Sequence, residues 1–175
     1  MQVTGLVGTM LSGQMKIKGA SVTNSAAVTS VEVRRATEED HEWLYELHEQ
    51  AHRALVERAY GSWEEDQQRA FFAPVVHDHE VFICSDVDRR VGAVYLGECD
   101  GDVWLELVEI LPSYQRQGYG TLAVRWVVER ASRQGAGTLL QVHRVNQDAH
   151  RLYLSEGFSS AGETATHHVM RKSVL

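Results

Sequence analysis

The chain has 175 residues, 43% of them hydrophobic, enough to bury one sizeable core but hardly two. Its formal charge is -7, and residues 31–175 hold 15 bases against 24 acids, an acidic surface that argues against nucleic acid as a partner. No apolar stretch approaches the ~20 residues that span a bilayer, and Cys84 and Cys99 form neither a metal-ligand spacing nor a disulfide framework, so a cytoplasmic setting without membrane contact is expected.

Residues 1–30 are rich in Ser, Thr, Gly and Ala, hold no aromatic residue, and lack the apolar periodicity that would dock them on a core. They are expected to form a mobile extension to a single domain at 31–175. The run Gly5 to Leu11 has its lysines after it rather than before it, unlike a signal peptide.

Val31-Glu32-Val33-Arg34 alternates as a strand does. Thr37 followed by Glu38-Glu39-Asp40 then supplies a helix N-cap with acids in the first turn, where the dipole favours them. Leu44, Leu47, Ala51, Ala54 and Leu55 recur at helical spacing up to Gly61, and Trp63 to Phe72 predicts a second helix that stops before Pro74. Three β-rich runs, Glu80 to Ser85, Arg90 to Gly97 and Val103 to Leu111, predict an antiparallel meander. Leu122, Ala123, Trp126, Val127 and Ala131 mark one face of a helix between Gln117 and Gln134, and Thr138 to Val142 follows as a buried strand. A helix over Asn146 to Ser155 and strands over Phe158 to Ala161 and His167 to Lys172 complete the order βααβββαβαββ, which points to one mixed α/β sheet.

The strongest local feature is Gln115-Arg116-Gln117-Gly118-Tyr119-Gly120-Thr121, between a strand and a helix. Unpaired N–H groups at a helix start, with glycine allowing close approach, make an anion site suited to a pyrophosphate. Such a pattern arises by chance in roughly one chain in six, so the turn alone decides nothing. Gly118-Tyr119-Gly120-Thr121-Leu122-Ala123 also fits the dinucleotide pattern. Against that reading stand the six residues from Pro112 to Gln117 before the first glycine and the strand ending Val142-His143 without a ribose-binding acid.

Ile110-Leu111-Pro112-Ser113-Tyr114 followed by this turn resembles the strand, loop and pyrophosphate turn of the GNAT superfamily of acetyl-CoA-dependent N-acetyltransferases. A second block, Asn146-x-x-Ala149-x-x-Leu152-Tyr153-x-x-x-Gly157-Phe158, is similar to that superfamily's later cofactor segment. The resemblance covers about residues 31–173 and implies the GNAT-like acyl-CoA N-acyltransferase fold with acetyl-CoA as cosubstrate. It implies that Gln115, Arg116, Gln117, Gly118, Tyr119, Gly120 and Thr121 hold the pyrophosphate, and that the main chain of Val108 and Ile110 pairs with the pantetheine arm as an added strand would. Asn146 would hold the same arm, and Tyr153 would protonate the departing thiolate.

The general base is less defined. The family's acid often stands where Trp104 is, and some protein-modifying relatives place it at the position of Gln141. Strict alternation puts Trp104, Glu106, Val108 and Ile110 on one side of their strand and Glu109 on the other. Glu106 is the first candidate, with Glu109, His143 and His168 behind it. The acceptor is expected to be a primary amine of a small molecule or peptide, met by Tyr60, Trp63, His167 and His168; a homodimer is left open. Two other classes stand beside this reading. One is a coenzyme A-binding module that has lost transfer. The other is a zinc hydrolase through His48-Glu49-x-x-His52, whose histidines share one helix face; nine histidines make that spelling an ordinary coincidence, and no metal is expected.

Overall fold

The computed structural model describes residues 10–11, 14–18 and 30–174. Strands β1 (Met10–Leu11), β2 (Gln14–Lys18) and β3 (Ser30–Arg35) precede helices α1 (His41–Tyr60) and α2 (Glu65–Asp78). Strands β4 (Glu80–Asp86), β5 (Arg89–Cys99) and β6 (Asp102–Ile110) lead to α3 (Tyr119–Arg133), β7 (Thr138–His143), α4 (Gln147–Ser155), β8 (Ser159–Glu163) and β9 (His167–Lys172). From β3 onward the order is βααβββαβαββ, as the hydrophobic periodicity predicts. Most of the extension expected to be mobile lies outside the described residues; its described pieces, β1 and β2, continue the sheet antiparallel from β3.

Local chemistry sets two boundaries that periodicity misses. The carboxylate of Asp40 accepts the Arg34 guanidinium at 2.8 Å through both oxygens and the Thr37 N–H at 2.9 Å. These bonds hold Glu38–Asp40 in a 3-10 turn, so α1 begins at His41 rather than near Glu38. Pro74 lies inside α2 instead of beyond its end. Proline removes one helical N–H bond, but Phe72 and Val75 are buried on either side of it, and their packing carries the helix on to Asp78.

The sheet runs β1-β2-β3-β4-β5-β6-β7-β9-β8, and among the described residues β6–β7 is its one parallel pair. Because side chains alternate across a strand, each strand feeds two cores. Val81, Ile83, Ala93 and Tyr95 meet Leu44, Leu47 and Phe72 of α1 and α2. Phe82, Cys84, Val94, Leu105 and Leu140 meet Val124, Trp126 and Val127 of α3 together with Tyr153 of α4.

Two irregularities shape the centre of the sheet. In the β5–β6 register Leu96 faces Leu105 and Tyr95 faces Leu107, so Glu106 is an extra residue, a bulge. In the β6–β7 register only Val103–Leu105 pair with Thr138–Leu140; beyond Leu105 the two strands part. The closed end is pinned by Asp102, which takes the Arg171 guanidinium at 2.6 and 3.1 Å and the Gly137 N–H at 2.8 Å. A side chain at position 137 would stand 2.8 Å from both Asp102 Oδ1 and the Lys172 carbonyl, which makes glycine necessary there. The result is a wedge that opens toward Ile110 and His143, with the starts of α3 and α4 beside its mouth.

Candidate active site

On the α3 side of the wedge, the chain leaves β6 through a 3-10 turn at Pro112–Tyr114 and enters α3 with Arg116 and Gly118 in left-handed conformations, at φ 63° and 96°. Leu122 N–H is bonded to the Gly118 carbonyl at 3.0 Å, so the amides of Tyr119, Gly120 and Thr121 come before the first helical bond and have no intrahelical acceptor. The motif's side chains are engaged elsewhere. Gln115 donates to the Ile110 carbonyl at 2.9 Å, Gln117 donates to the Ser113 carbonyl at 2.8 Å, and Arg116 pairs with Asp148. Tyr119 is buried and donates to Asp86 at 2.6 Å. The side chains thus brace the loop, and the backbone supplies the positive end that a pyrophosphate needs.

Asn146 caps α4, its side-chain oxygen accepting from Ala149 N–H at 3.2 Å, which leaves its amide donors for a ligand. Tyr153 is buried one helix turn behind Ala149, with its ring tilted against Phe158 at 5.6 Å. Its hydroxyl has no hydrogen-bond partner and is not fully occluded. Burial pushes the phenol upward from its ordinary value, so it stays protonated at neutral pH. Val108 and Ile110 pack on this same face of β6.

The bulge overturns the expected alternation. Trp104 lies on the α1/α2 face beside Gly97, while Val108 and Ile110 face α3, because the extra residue resets the pleat. Glu106 accepts from the Trp104 indole and stands 3.9 Å from His79. Glu109 is 1% exposed on the α1/α2 face and is far more enclosed than strand position alone suggests. Its Oε1 lies 2.7 Å from His48 Nδ1 and 2.8 Å from His52 Nδ1, and its Oε2 accepts from the Tyr95 hydroxyl at 2.8 Å. His48 Nδ1 is hydrogen-bonded to Oε1, whereas His52 Nδ1 is in ion-pair contact with it without an aligned hydrogen bond. Burial alone would raise the Glu109 carboxyl, but the histidine contacts outweigh it and hold the group at about 2.

These separations speak to the zinc reading. His48, His52 and Glu109 gather three metal-capable donors, but tetrahedral zinc with bonds of about 2.0–2.1 Å keeps donors roughly 3.4 Å apart. The observed 2.7 and 2.8 Å are hydrogen-bond distances. The hydrolase would also need Glu49 beside the metal, and Glu49 instead pairs with Arg53.

Of the acceptor candidates, three gather on the α1/α2 face. Tyr60 ends α1 with its ring edge on His143 at 5.7 Å, His143 meets His167 at 4.8 Å, and Trp63 lies 5.7 Å from His48. His168 is apart from them, stacked on His150 of α4 at 4.7 Å and 3.7 Å from Glu163. The sequence reading missed the roles of His48, His52 and Tyr95. The one available signal was the i, i+4 histidine pair on an apolar helix face.

The profile of the Acetyltransferase (GNAT) family matches residues 38–158, and the chain belongs to that family. It is therefore an acetyltransferase, with acetyl-CoA as its cosubstrate. Among solved structures it is similar to the PaiA N-acetyltransferase of Thermoplasma acidophilum in complex with coenzyme A, at 18% identity and TM-score 0.70 over 83% of this chain and 99% of that one. It is also similar to the ribosomal-protein-S18-alanine N-acetyltransferase of Escherichia coli, at 18% identity and TM-score 0.64 over 82% and 94%. YncA of Salmonella typhimurium, solved with acetyl-CoA, superposes at TM-score 0.56 with 17% identity over 83% and 94%. No curated protein matches at a significant level. Among the described residues no helix is long and apolar enough to cross a membrane.

Proposed function

We propose that the protein transfers the acetyl group of acetyl-CoA to the primary amine of a small molecule or peptide, by direct attack inside the wedge. The observation that carries this reading is the arrangement of the wedge itself. One face offers the α3 amides and the Tyr153 hydroxyl, and the other offers the Glu109 carboxylate with His48 and His52 at β6 and the Tyr60, His143 and His167 rings at β7.

When bound, acetyl-CoA supplies a thioester carbonyl. The amides of Tyr119, Gly120 and Thr121 hold its pyrophosphate. The part of β6 that has left β7 presents the main chain of Val108 and Ile110 to the pantetheine arm, with Asn146 beside it. The Ile110 carbonyl already accepts from Gln115, which supports Val108 as the strand's first bonding position for the arm. Tyr153 gives its proton to the departing sulfur. The amine's proton leaves toward the α1/α2 face, where Glu106 and Glu109 stand. Neither Cys84, buried within β4, nor Cys99 faces this site as a nucleophile would, so no acetyl-enzyme is expected.

Acetyl-CoA should raise the melting temperature through ligand linkage. A methyl group at Gly120 would meet only Leu152 and Ile110 side chains, at 3.6 and 3.9 Å, so the fold tolerates a little bulk there. Gly120→Leu exceeds that room and crowds the amides; the expected result is loss of the acetyl-CoA-induced shift with the ligand-free melting temperature nearly kept. Unchanged acetyl-CoA affinity would count against the assigned pyrophosphate site.

A further inference from the structure

Helix α1 crosses the wedge. At His52 it touches Glu109 on β6, and at Tyr60 it touches His143 on β7. The eight-residue step from one to the other spans about 12 Å. His52 therefore stands where the helix leaves β6 and begins to bridge the gap. Its Nδ1 is buried toward Glu109, whereas its Nε2 has no partner and is not occluded. The side chain as a whole keeps 19% exposure, against 3% for His48.

His48 Nδ1, His52 Nδ1 and the Tyr95 hydroxyl converge on the Glu109 carboxylate at 2.7, 2.8 and 2.8 Å. That arrangement turns His52 Nδ1 toward the carboxylate, which favours the Nδ1–H tautomer, and leaves Nε2 on the unoccluded side of the ring, at the edge of the gap that α1 bridges. A proton arriving at His52 Nε2 would be stabilised as an imidazolium paired with the Glu109 carboxylate at 2.8 Å.

We infer that His52, oriented by Glu109, is the general base that takes the acceptor amine's proton. This rests on the acetyl-transfer reading above. The nitrogen lone pair of the neutral amine forms the C–N bond to the acetyl carbonyl, and the C–S bond breaks. The sulfur takes the Tyr153 proton, and the N–H proton passes to His52 Nε2; the phenolate then regains a proton from solvent and His52 releases one. His48 and Tyr95 are positioning residues that hold the carboxylate. Glu106 is engaged elsewhere, accepting from the Trp104 indole and standing 3.9 Å from His79.

Two measurements test this. The first is nitrogen-15 spectroscopy of the histidine rings at pH 8 without any substrate. The expected result is a neutral His52 in the Nδ1–H form, shifting toward the Nε2–H form in Glu109→Gln. A His52 found as Nε2–H in the wild type would overturn the proposal, because that nitrogen would have no lone pair to offer.

The second is kcat/KM with a panel of primary amines that includes 2-phenylethylamine, spermidine and a lysine peptide. His52→Gln should lower kcat/KM roughly 10²–10⁴-fold while keeping the acetyl-CoA thermal shift, and Glu106→Gln should fall far less. Glu109→Gln should move the acidic limb of the pH profile to lower pH, since the carboxylate that stabilises the imidazolium is gone. The charged and titratable groups bearing on His52 are Glu109 of β6, Tyr95 of β5, and Glu49, His48 and Arg53 of α1. A wild-type rate in His52→Gln would overturn the proposal. No turnover by the wild type with any amine would strike the acetyl-transfer reading instead, and the ring tautomer would still decide the state of His52.

Discussion

Tyr153→Phe is expected to lower kcat by roughly 10²–10⁴-fold, the range that positioned proton transfer contributes, while acetyl-CoA affinity and melting temperature hardly change. The ring is buried against Phe158, and phenylalanine preserves that packing. Only the hydroxyl is lost, and since it bonds to nothing in the ligand-free protein, no structural partner is orphaned. Burial keeps this phenol protonated well beyond neutral pH, so the wild-type enzyme holds the proton in place throughout the working range. The rate should be read where chemistry limits turnover rather than product release. A wild-type kcat there would show Tyr153 to be a packing residue alone.

Glu109→Ala is expected to destabilise the fold by about 3–5 kcal/mol, as removing one partner from a buried charged cluster typically does. The substitution strips His48, His52 and Tyr95 of their shared acceptor and opens a void between β6 and α1. In a chain of this size that corresponds to a fall in melting temperature on the order of 10 °C. The pH dependence carries the same sign. A carboxyl whose folded value is depressed to about 2 from 4.5 stabilises the folded state fully above about pH 4.5, and loses that contribution as pH falls toward 2. Chemical unfolding followed from pH 7 to pH 3 should therefore show wild-type stability dropping through this window, and Glu109→Gln should lack part of that drop. Equal acid sensitivity in the two proteins would mean that Glu109 is not held as the geometry shows.

The element order from Val31 onward was legible because each core position recurs at a period of 2 or 3.6, and because Gly61, Gly135 and Gly157 punctuate the helices where left-handed residues end them. Pro74 misled as a stop signal because tertiary burial of Phe72 and Val75 outweighs one lost backbone bond. The bulge at Glu106 has no mark in the residues around it. It arises from register with β5, a non-local constraint, and it reassigned the faces of Trp104 and Val108.

In the site, the glycine turn was readable because its function is in the backbone. The charged cluster was not, since His48, Tyr95 and Glu109 lie 61 and 14 residues apart in the paired contacts and meet only after the sheet forms. Each of the three also reads singly as an ordinary amphipathic or strand residue.

The central claim is that this wedge moves an acetyl group from sulfur to an amine nitrogen. It is tested most directly by incubating the full chain with acetyl-CoA and the amine panel, then measuring free thiol and acetylated amine together by mass spectrometry. The expected result is one acetamide formed for each coenzyme A thiol released, with no acetyl group retained on the protein. Acetyl-CoA binding without thiol release in the presence of any amine would contradict it, and would leave the chain a coenzyme A-binding module of acetyltransferase fold.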